Sequence, residues 1–169
     1  MSQLNISEAI QTGDFQSASH LLGARLTENP DDWKSWSLLG MCFRELDDLN
    51  QAQTCLRKAV ELQPNSRSTL LALADSEYRL TQFVGCFETL DLILELNPLD
   101  ADALVLKTQI LIDLGRFDAA IGVLSPVDED DHRKNLVRKD PHFYSFFRTA
   151  PLKGYLWPVN SSKRFRFVP

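Results

Sequence analysis

Histidine, cysteine and clustered acidic residues are the side chains of this chain that could bind a metal or carry out catalysis. The three histidines, His20, His132 and His142, form no His-Glu-x-x-His pair of the kind that binds catalytic zinc. Neither a Gly-rich phosphate loop nor a Gly-x-Ser-x-Gly elbow occurs. The run from Asp128 to Asp131 lacks the alternating spacing of a calcium loop. The pattern predicts no catalytic residue, metal, cofactor or small-molecule substrate, and therefore a protein that is not an enzyme.

The three cysteines, Cys42, Cys55 and Cys86, form no Cys-x-x-Cys pair. An odd number without paired spacing favours a reducing compartment over a disulfide framework. The N-terminus has neither the basic start nor the apolar stretch of a secretory signal. No apolar run reaches the roughly 18 residues that cross a bilayer. We therefore expect a cytoplasmic protein.

Charge divides the chain into two chemically different parts, although the net charge is only −5. Residues 1–131 carry 9 Lys/Arg against 22 Asp/Glu, whereas residues 132–169 carry 9 Lys/Arg against the single acid Asp140. The net charges are −13 and +8, and 8 of the 16 aromatic residues lie in the last 38. This division predicts a domain boundary near Asp131, between a body (1–131) and a basic aromatic tail (132–169).

Several residue types recur every 34 residues along the body. The prolines Pro30, Pro64 and Pro98 have this spacing, and three further columns share their register. The columns are a small-residue column (Ala18, Ala52, Cys86, Ala120), a leucine column (Leu22, Leu56, Leu90, Leu124) and an apolar column (Phe15, Leu49, Phe83, Phe117). Four columns with one period indicate an array of structural repeats.

Each 34-residue unit has the pattern of two packed helices. The apolar residues within 34–46 follow an i, i+3, i+4, i+7 stripe, which forms one face of a helix. A second stripe at helical spacing follows in residues 52–59. We expect the small-residue column to let the two axes approach, the leucine column to fill the space between them, and the proline column to end the second helix. Each repeat is then one helical hairpin.

These residues resemble the tetratricopeptide repeat (TPR) family. The family signature is matched in order and spacing by Trp36, Leu39, Gly40, Phe43, Ala52, Leu56, Ala59 and Pro64, and residues 104–120 look like another copy. The resemblance implies an all-α superhelix of helical hairpins, with about four repeats near 1–32, 33–66, 67–100 and 101–127. The fourth repeat departs from the family pattern at Lys107 and Thr108, where Leu and Gly are expected.

The resemblance also implies that the first helix of each repeat lines a concave groove. The side chains expected there are mixed, with an apolar centre: Ser37, Leu38, Met41, Arg44, Leu71, Asp75, Tyr78, Val105, Gln109 and Ile112. Family members that grip an acidic C-terminus use Lys, Asn and Arg in this region. The corresponding positions here hold Ser37, Met41, Ala72, Asp102 and Leu106, so that clamp is not expected. An apolar or amphipathic polypeptide segment is the predicted ligand.

The basic aromatic tail is predicted to be partly helical, at about 140–149. Asp140 and Pro141 form a helix start, and Phe143, Phe146 and Phe147 follow on one face. Contact with nucleic acid and contact with an anionic membrane surface are two interpretations of its charge, and the −13 body argues against the first. The third and favoured interpretation is packing on protein. We expect Phe143, Phe146, Phe147 and Trp157 to contact the protein's own array, as a cap for its last repeat.

The function predicted from these features is that of a protein-interaction adaptor or chaperone-like protein, whose partner is a protein or peptide. Two alternatives stay open. One is a secretion-type chaperone that shields apolar segments, although the basic tail does not fit that pattern. The other is the regulatory N-terminal part of a larger enzyme. Fold alone does not decide between them.

Overall fold

A computed structural model describes residues 5–124 of the chain. In this range the backbone forms eight α-helices and no strand, which confirms the all-α prediction. The helices are α1 (Ile6–Gln11), α2 (Phe15–Glu28), α3 (Trp33–Glu45), α4 (Leu49–Leu62), α5 (Arg67–Arg79), α6 (Phe83–Leu96), α7 (Ala101–Asp113) and α8 (Phe117–Leu124). None of these helices is long and apolar enough to span a membrane.

The helices are arranged as consecutive hairpins. Helices α3, α5 and α7 begin at Trp33, Arg67 and Ala101, where the sequence predicts repeats to start. The chain divides into two units between Ser125 and Pro126, and every described residue belongs to the first unit. The predicted boundary near Asp131, the tail 132–169 and its predicted helix at about 140–149 lie outside the described residues.

Aspartate caps begin four of the eight described helices. The side chain of Asp14 accepts a hydrogen bond from the backbone N–H three residues later at 3.0 Å, and Asp48 does the same at 3.2 Å. Asp32 and Asp100 begin α3 and α7 in the same way. These bonds satisfy N–H groups that have no partner inside the helix. Asp14 and Asp48 are one repeat apart and Asp32 and Asp100 two repeats apart, so local chemistry fixes the start of α2, α3, α4 and α7.

The turn inside each hairpin passes through left-handed backbone once. The residues at this point are 34 positions apart, with φ angles of +76°, +63°, +57° and +70°: Gly13, Asp47, Thr81 and Gly115. The turn is closed by backbone bonds such as Asp48 N–H to the Phe43 carbonyl, at 2.9 Å. Asp47 and Thr81 adopt a φ that disfavours residues with a side chain. The sequence columns did not include this position, although it recurs with the same period.

The proline column ends the second helices, as predicted. Helices α2, α4 and α6 stop two residues before Pro30, Pro64 and Pro98. The residue in between has φ from −144° to −135° and ψ from 83° to 96° in all three cases. A proline ring clashes with helical backbone at the preceding residue. The chain therefore leaves the helix at the same point in each repeat.

Close backbone approach holds the two helices of a hairpin together. In the second repeat, Ala52 and Leu56 of α4 are fully buried against α3. A Cβ placed on Gly40 of α3 would lie 2.6 Å from Leu56 Cγ and 3.1 Å from the Ala52 carbonyl oxygen. No side chain fits in that space. The predicted roles of the small-residue and leucine columns are confirmed here.

Successive hairpins are joined by ion pairs as well as by apolar packing. The Arg67 guanidinium, at the start of α5, contacts Asp100, the N-cap of α7. Arg57 of α4 donates a 3.0 Å hydrogen bond to Glu77 of α5, and Thr89 Oγ1 of α6 donates one of 2.8 Å to the same carboxylate. Glu77 is only 2% exposed. Because a buried carboxylate is costly without partners, these two bonds hold α4, α5 and α6 in one arrangement.

The contact at Gly40 predicts opposite effects for two glycine substitutions. Gly40→Ala should lower the free energy of unfolding by about 1–3 kcal/mol, because the methyl group forces α3 and α4 apart. Gly23→Ala in α2 is the matched control: a Cβ there meets nothing within 4 Å, and alanine should raise stability by about 0.5–1 kcal/mol. Urea denaturation followed by circular dichroism measures both. Equal stability of the two variants would contradict the packing described for Gly40.

Candidate functional site

The first helices of the repeats lie on the inner side of the array. Helix α3 contacts α5 directly and α5 contacts α7, whereas consecutive second helices in the described range make weaker contacts or none. Helices that approach more closely lie on the shorter, inner side of a curve. We call the solvent-facing side of α3, α5 and α7 the groove. It is the extended concave surface that stacked hairpins create.

The middle of the groove is apolar. Leu38 is 37% exposed, and Met41, Leu71, Val105 and Ile112 are half-buried. The half-buried residues also support the core. Met41 packs against the buried cluster of the second and third repeats, and Leu71 packs against that of the third and fourth. Leu38 therefore presents the largest exposed fraction among these apolar side chains.

Charged side chains link neighbouring first helices across the groove. Arg44 of α3 lies 3.6 Å from the Asp75 carboxylate of α5, and it also donates a 3.1 Å hydrogen bond to Glu45. All three side chains keep contact with solvent. Exposed pairs of this kind contribute little to stability, in the range of about 0–1 kcal/mol. The apolar middle of the groove is therefore bordered by Arg44, Glu45 and Asp75, whose charges partly neutralise one another.

Tyr78 and Asp113 form a second link, from α5 to α7. The Tyr78 hydroxyl donates a 2.7 Å hydrogen bond to Asp113 Oδ2, and Gln109 Nε2 donates one of 2.8 Å to Oδ1. The Tyr78 ring also lies 6.3 Å from the Phe83 ring, centroid to centroid. Burial, and then the hydrogen bond to Asp113, raise the pKa of Tyr78 to about 12. The hydroxyl stays a donor at physiological pH.

The prediction that Ser37 faces the groove was wrong. Its side chain is only 5% exposed, and its hydroxyl lies 3.0 Å from Thr69 Oγ1 between α3 and α5. A small hydroxyl fits between two closely approaching helices and finds its partner there. Ser37 therefore helps to dock the second repeat on the third. The positions aligned with it, Leu71 and Val105, remain partly open to solvent.

Glu45 belongs to the groove and was missed. It is exposed at the end of α3 and pairs with Arg44. It lies 68 residues, two repeats, before Asp113, which binds Tyr78 and Gln109 in the groove, so the repeat register could have found it. Thr69 and Glu77 were also missed, and for them no sequence signal exists, because their partners come from other helices.

The described residues also include potential metal ligands and thiols. No cluster of three or more His, Cys, Asp or Glu residues among them could bind a metal ion. Cys42, Cys55 and Cys86 are free and buried. Burial raises the pKa of all three thiols, to about 11 for Cys55 and about 12 for Cys86. These thiols act as compact apolar side chains.

The predicted tail contacts, Phe143, Phe146, Phe147 and Trp157, lie outside the described residues.

Hairpins of this length, stacked with their first helices inward, define a helical repeat solenoid. A family model for the tetratricopeptide repeat matches residues 9–75. A second model, for the anaphase-promoting complex (cyclosome) subunit 3, matches residues 45–127. Together the two models span residues 9–127. These matches confirm the resemblance to the tetratricopeptide repeat family.

Curated relatives match only part of the chain. It is 31% identical over 98 residues to Protein SGT1 homolog of Bos taurus, and 28% identical over 89 residues to PEX5-related protein of Mus musculus. Peroxisome biogenesis protein 5 of Arabidopsis thaliana is 35% identical over 69 residues. The matches cover 58%, 53% and 41% of this chain. They span only 29%, 16% and 10% of the relatives, which are much longer proteins.

Solved structures support the fold at low sequence identity. A crystal structure of MamA superposes with a TM-score of 0.68 at 21% identity, covering 74% of this chain and 73% of that one. A tetratricopeptide repeat protein from Parabacteroides merdae gives 0.67 at 19% identity, covering 79% of this chain and 54% of that one. At this identity the likeness concerns the fold.

The Tyr78 hydrogen bond predicts an abnormal tyrosine titration. The chain has three tyrosines, and one should ionise near pH 12 rather than near 10 when followed by ultraviolet absorbance. Tyr78→Phe should remove that step, and Asp113→Asn should move it down in part, because burial remains. The folded state binds the Tyr78 proton more tightly than the unfolded state does. The contribution of Tyr78 to the free energy of unfolding is therefore complete below about pH 10 and is lost towards pH 12. Circular dichroism at each pH checks that the fold persists. Loss of a step near pH 10 in Tyr78→Phe would contradict the bond.

Proposed function

We propose that this protein is an interaction adaptor that binds an apolar or amphipathic segment of another polypeptide in its groove. The observation that carries the proposal is Leu38, a large apolar side chain exposed at the middle of the concave surface. Leu71 of α5 and Val105 of α7 are partly exposed on the same surface. We call Leu38, Leu71 and Val105 together the apolar strip. Exposed apolar patches on soluble proteins usually mark contact sites.

The chemistry of the groove favours a polypeptide over a small polar ligand. Its charged and polar groups are engaged with one another: Arg44 pairs with Asp75, and Tyr78 and Gln109 donate hydrogen bonds to Asp113. A bound segment would therefore gain affinity mainly by covering the apolar strip, at about 25 cal/mol per Å² of apolar surface removed from water. The strip crosses three helices, so an extended or helical segment can cover it. We expect no catalytic turnover, since the sequence contains no recognisable arrangement of nucleophile, base and orienting group.

The relatives support the proposal only for the repeat array, because the similarity is limited to that part of each relative. Protein SGT1 homolog, PEX5-related protein and Peroxisome biogenesis protein 5 each contain a stretch similar to this array within a much longer chain. A chaperone-like use of the groove would rest on the same apolar strip. We also propose a cytoplasmic location, supported by the three free, buried thiols.

The test is a single substitution at the groove centre with a matched control. Leu38→Glu should reduce the polypeptides retained in an affinity pull-down by about tenfold or more, because a carboxylate in the strip must be desolvated. Leu46→Glu is the control: Leu46 has a similar exposure, 42%, but lies at the turn after α3. Both variants should keep the helical circular dichroism of the parent. Unchanged retention by Leu38→Glu, or an equal loss in both variants, would contradict binding in the groove.

A further inference from the structure

The outer face of α6 carries an apolar surface away from the groove. Val84 is 75% exposed, Leu92 45% and Leu96 52%. They make up three of the six large apolar side chains exposed among the described residues. The opposite face of α6, with Cys86, Leu90 and Ile93, is buried in the core. The exposed side chains are therefore not needed to pack the helix.

The other repeats show that the fold does not require apolar residues at these positions. The position of Val84 is occupied by Gln16 in α2 and by Asn50 in α4, and both are exposed. The position of Leu92 is occupied by Ala24 and Lys58, also exposed. The position of Leu96 holds Glu28 in α2 and the half-buried Leu62 in α4. The array tolerates polar groups here, so the apolar surface of α6 has a cause other than folding.

The same face is acidic. Glu88, Asp91 and Glu95 lie along it, all exposed, and α6 contains no Lys or Arg. Among them Asp91 has a basic partner, Lys107 of α7. Leucines between carboxylates complement a segment that combines apolar and cationic side chains.

We propose that the outer face of α6 is a docking site for a cationic amphipathic helix of another polypeptide. Val84 and Leu96 are separated by twelve residues, which is about 18 Å along the helix axis. A partner helix of three to four turns matches this length. Its apolar stripe would cover Val84, Leu92 and Leu96, and its Lys or Arg side chains would reach Glu88 and Glu95. This site is separate from the groove and does not depend on the function proposed for it.

The experiment uses the full-length chain, labelled with nitrogen-15, and a synthetic peptide as the probe. The peptide is an amphipathic helix of about five turns, made of leucine on one face and lysine on the other. At physiological salt its addition should shift the amide signals of residues 83–96. A second peptide with glutamate in place of lysine should cause no shift. Shifts confined to the amides of α3, α5 and α7 would overturn the proposal while leaving groove binding intact.

The substitutions that test the face come from the repeats themselves. Val84→Asn with Leu92→Lys introduces the residues that α4 carries at the same positions, so the fold should be unaffected. The dissociation constant of this variant for the lysine peptide should be at least about tenfold higher than that of the parent. Gln16→Asn with Ala24→Lys, at the equivalent positions of α2, is the matched control and should bind like the parent. Equal affinity for all three proteins would overturn the proposal.

The α6 face could instead be covered by the chain's own basic segment or by a second copy of the chain. The variant Val84→Asn with Leu92→Lys distinguishes these two occupants when no peptide is added. If Val84→Asn with Leu92→Lys shifts the amide signals of residues 125–169, the chain's own basic segment covers the face. If it changes the sedimentation coefficient, a second copy of the chain does. Either result would overturn the commitment to a separate polypeptide. Unchanged signals and sedimentation, together with loss of peptide binding, support it.

Discussion

The close approach of two helices within each hairpin is the contact on which the rest of the array depends. At its tightest point, α3 presents Gly40 to Leu56 and Ala52 of α4, with no room for a methyl group. The second helix supplies both a small residue and a leucine to this contact, Ala52 and Leu56 in α4. The same need in each hairpin explains why both columns have the 34-residue period. It buries one face of each helix and leaves the opposite face free. Packing therefore decides the residues of one face of each helix, and the residues of the opposite face are available for function.

The hairpins could be predicted from the sequence because their determinants are local. Caps such as Asp48 and stops such as Pro64 act within a few residues of their own positions. The contacts between repeats could not, because they depend on the distance between helices. Ser37 sits at a position that faces solvent in an isolated helix, yet α5 approaches closely enough to bury it against Thr69. Glu77 occupies the register position of Phe43, and only the fold shows that Arg57 and Thr89 satisfy it there.

The two candidate surfaces differ in how they arise from this framework. The groove contains residues with two roles, since Met41 and Leu71 pack against the core while remaining partly exposed. A substitution at Met41 or Leu71 would consequently change both binding and stability. Leu38 is the most exposed of these apolar residues, so a substitution there should affect binding with the least effect on stability. The face of α6 has no such coupling between binding and stability, because Val84 is 75% and Leu92 45% exposed, while Cys86, Leu90 and Ile93 form the buried face. A repeat array can in this way present one surface shaped by its curvature and another shaped by the composition of a single helix.

Site-specific photo-crosslinking measures most directly whether the groove holds a polypeptide. A photoreactive phenylalanine analogue at Leu38 should give discrete adducts of higher mass in cells that make the protein. The same analogue at Val105, two repeats away, should give the same adducts, because one bound segment crosses both helices. At Thr54, exposed on α4, it should give none. Adducts of equal yield from all three positions, or none from Leu38 and Val105, would contradict the account.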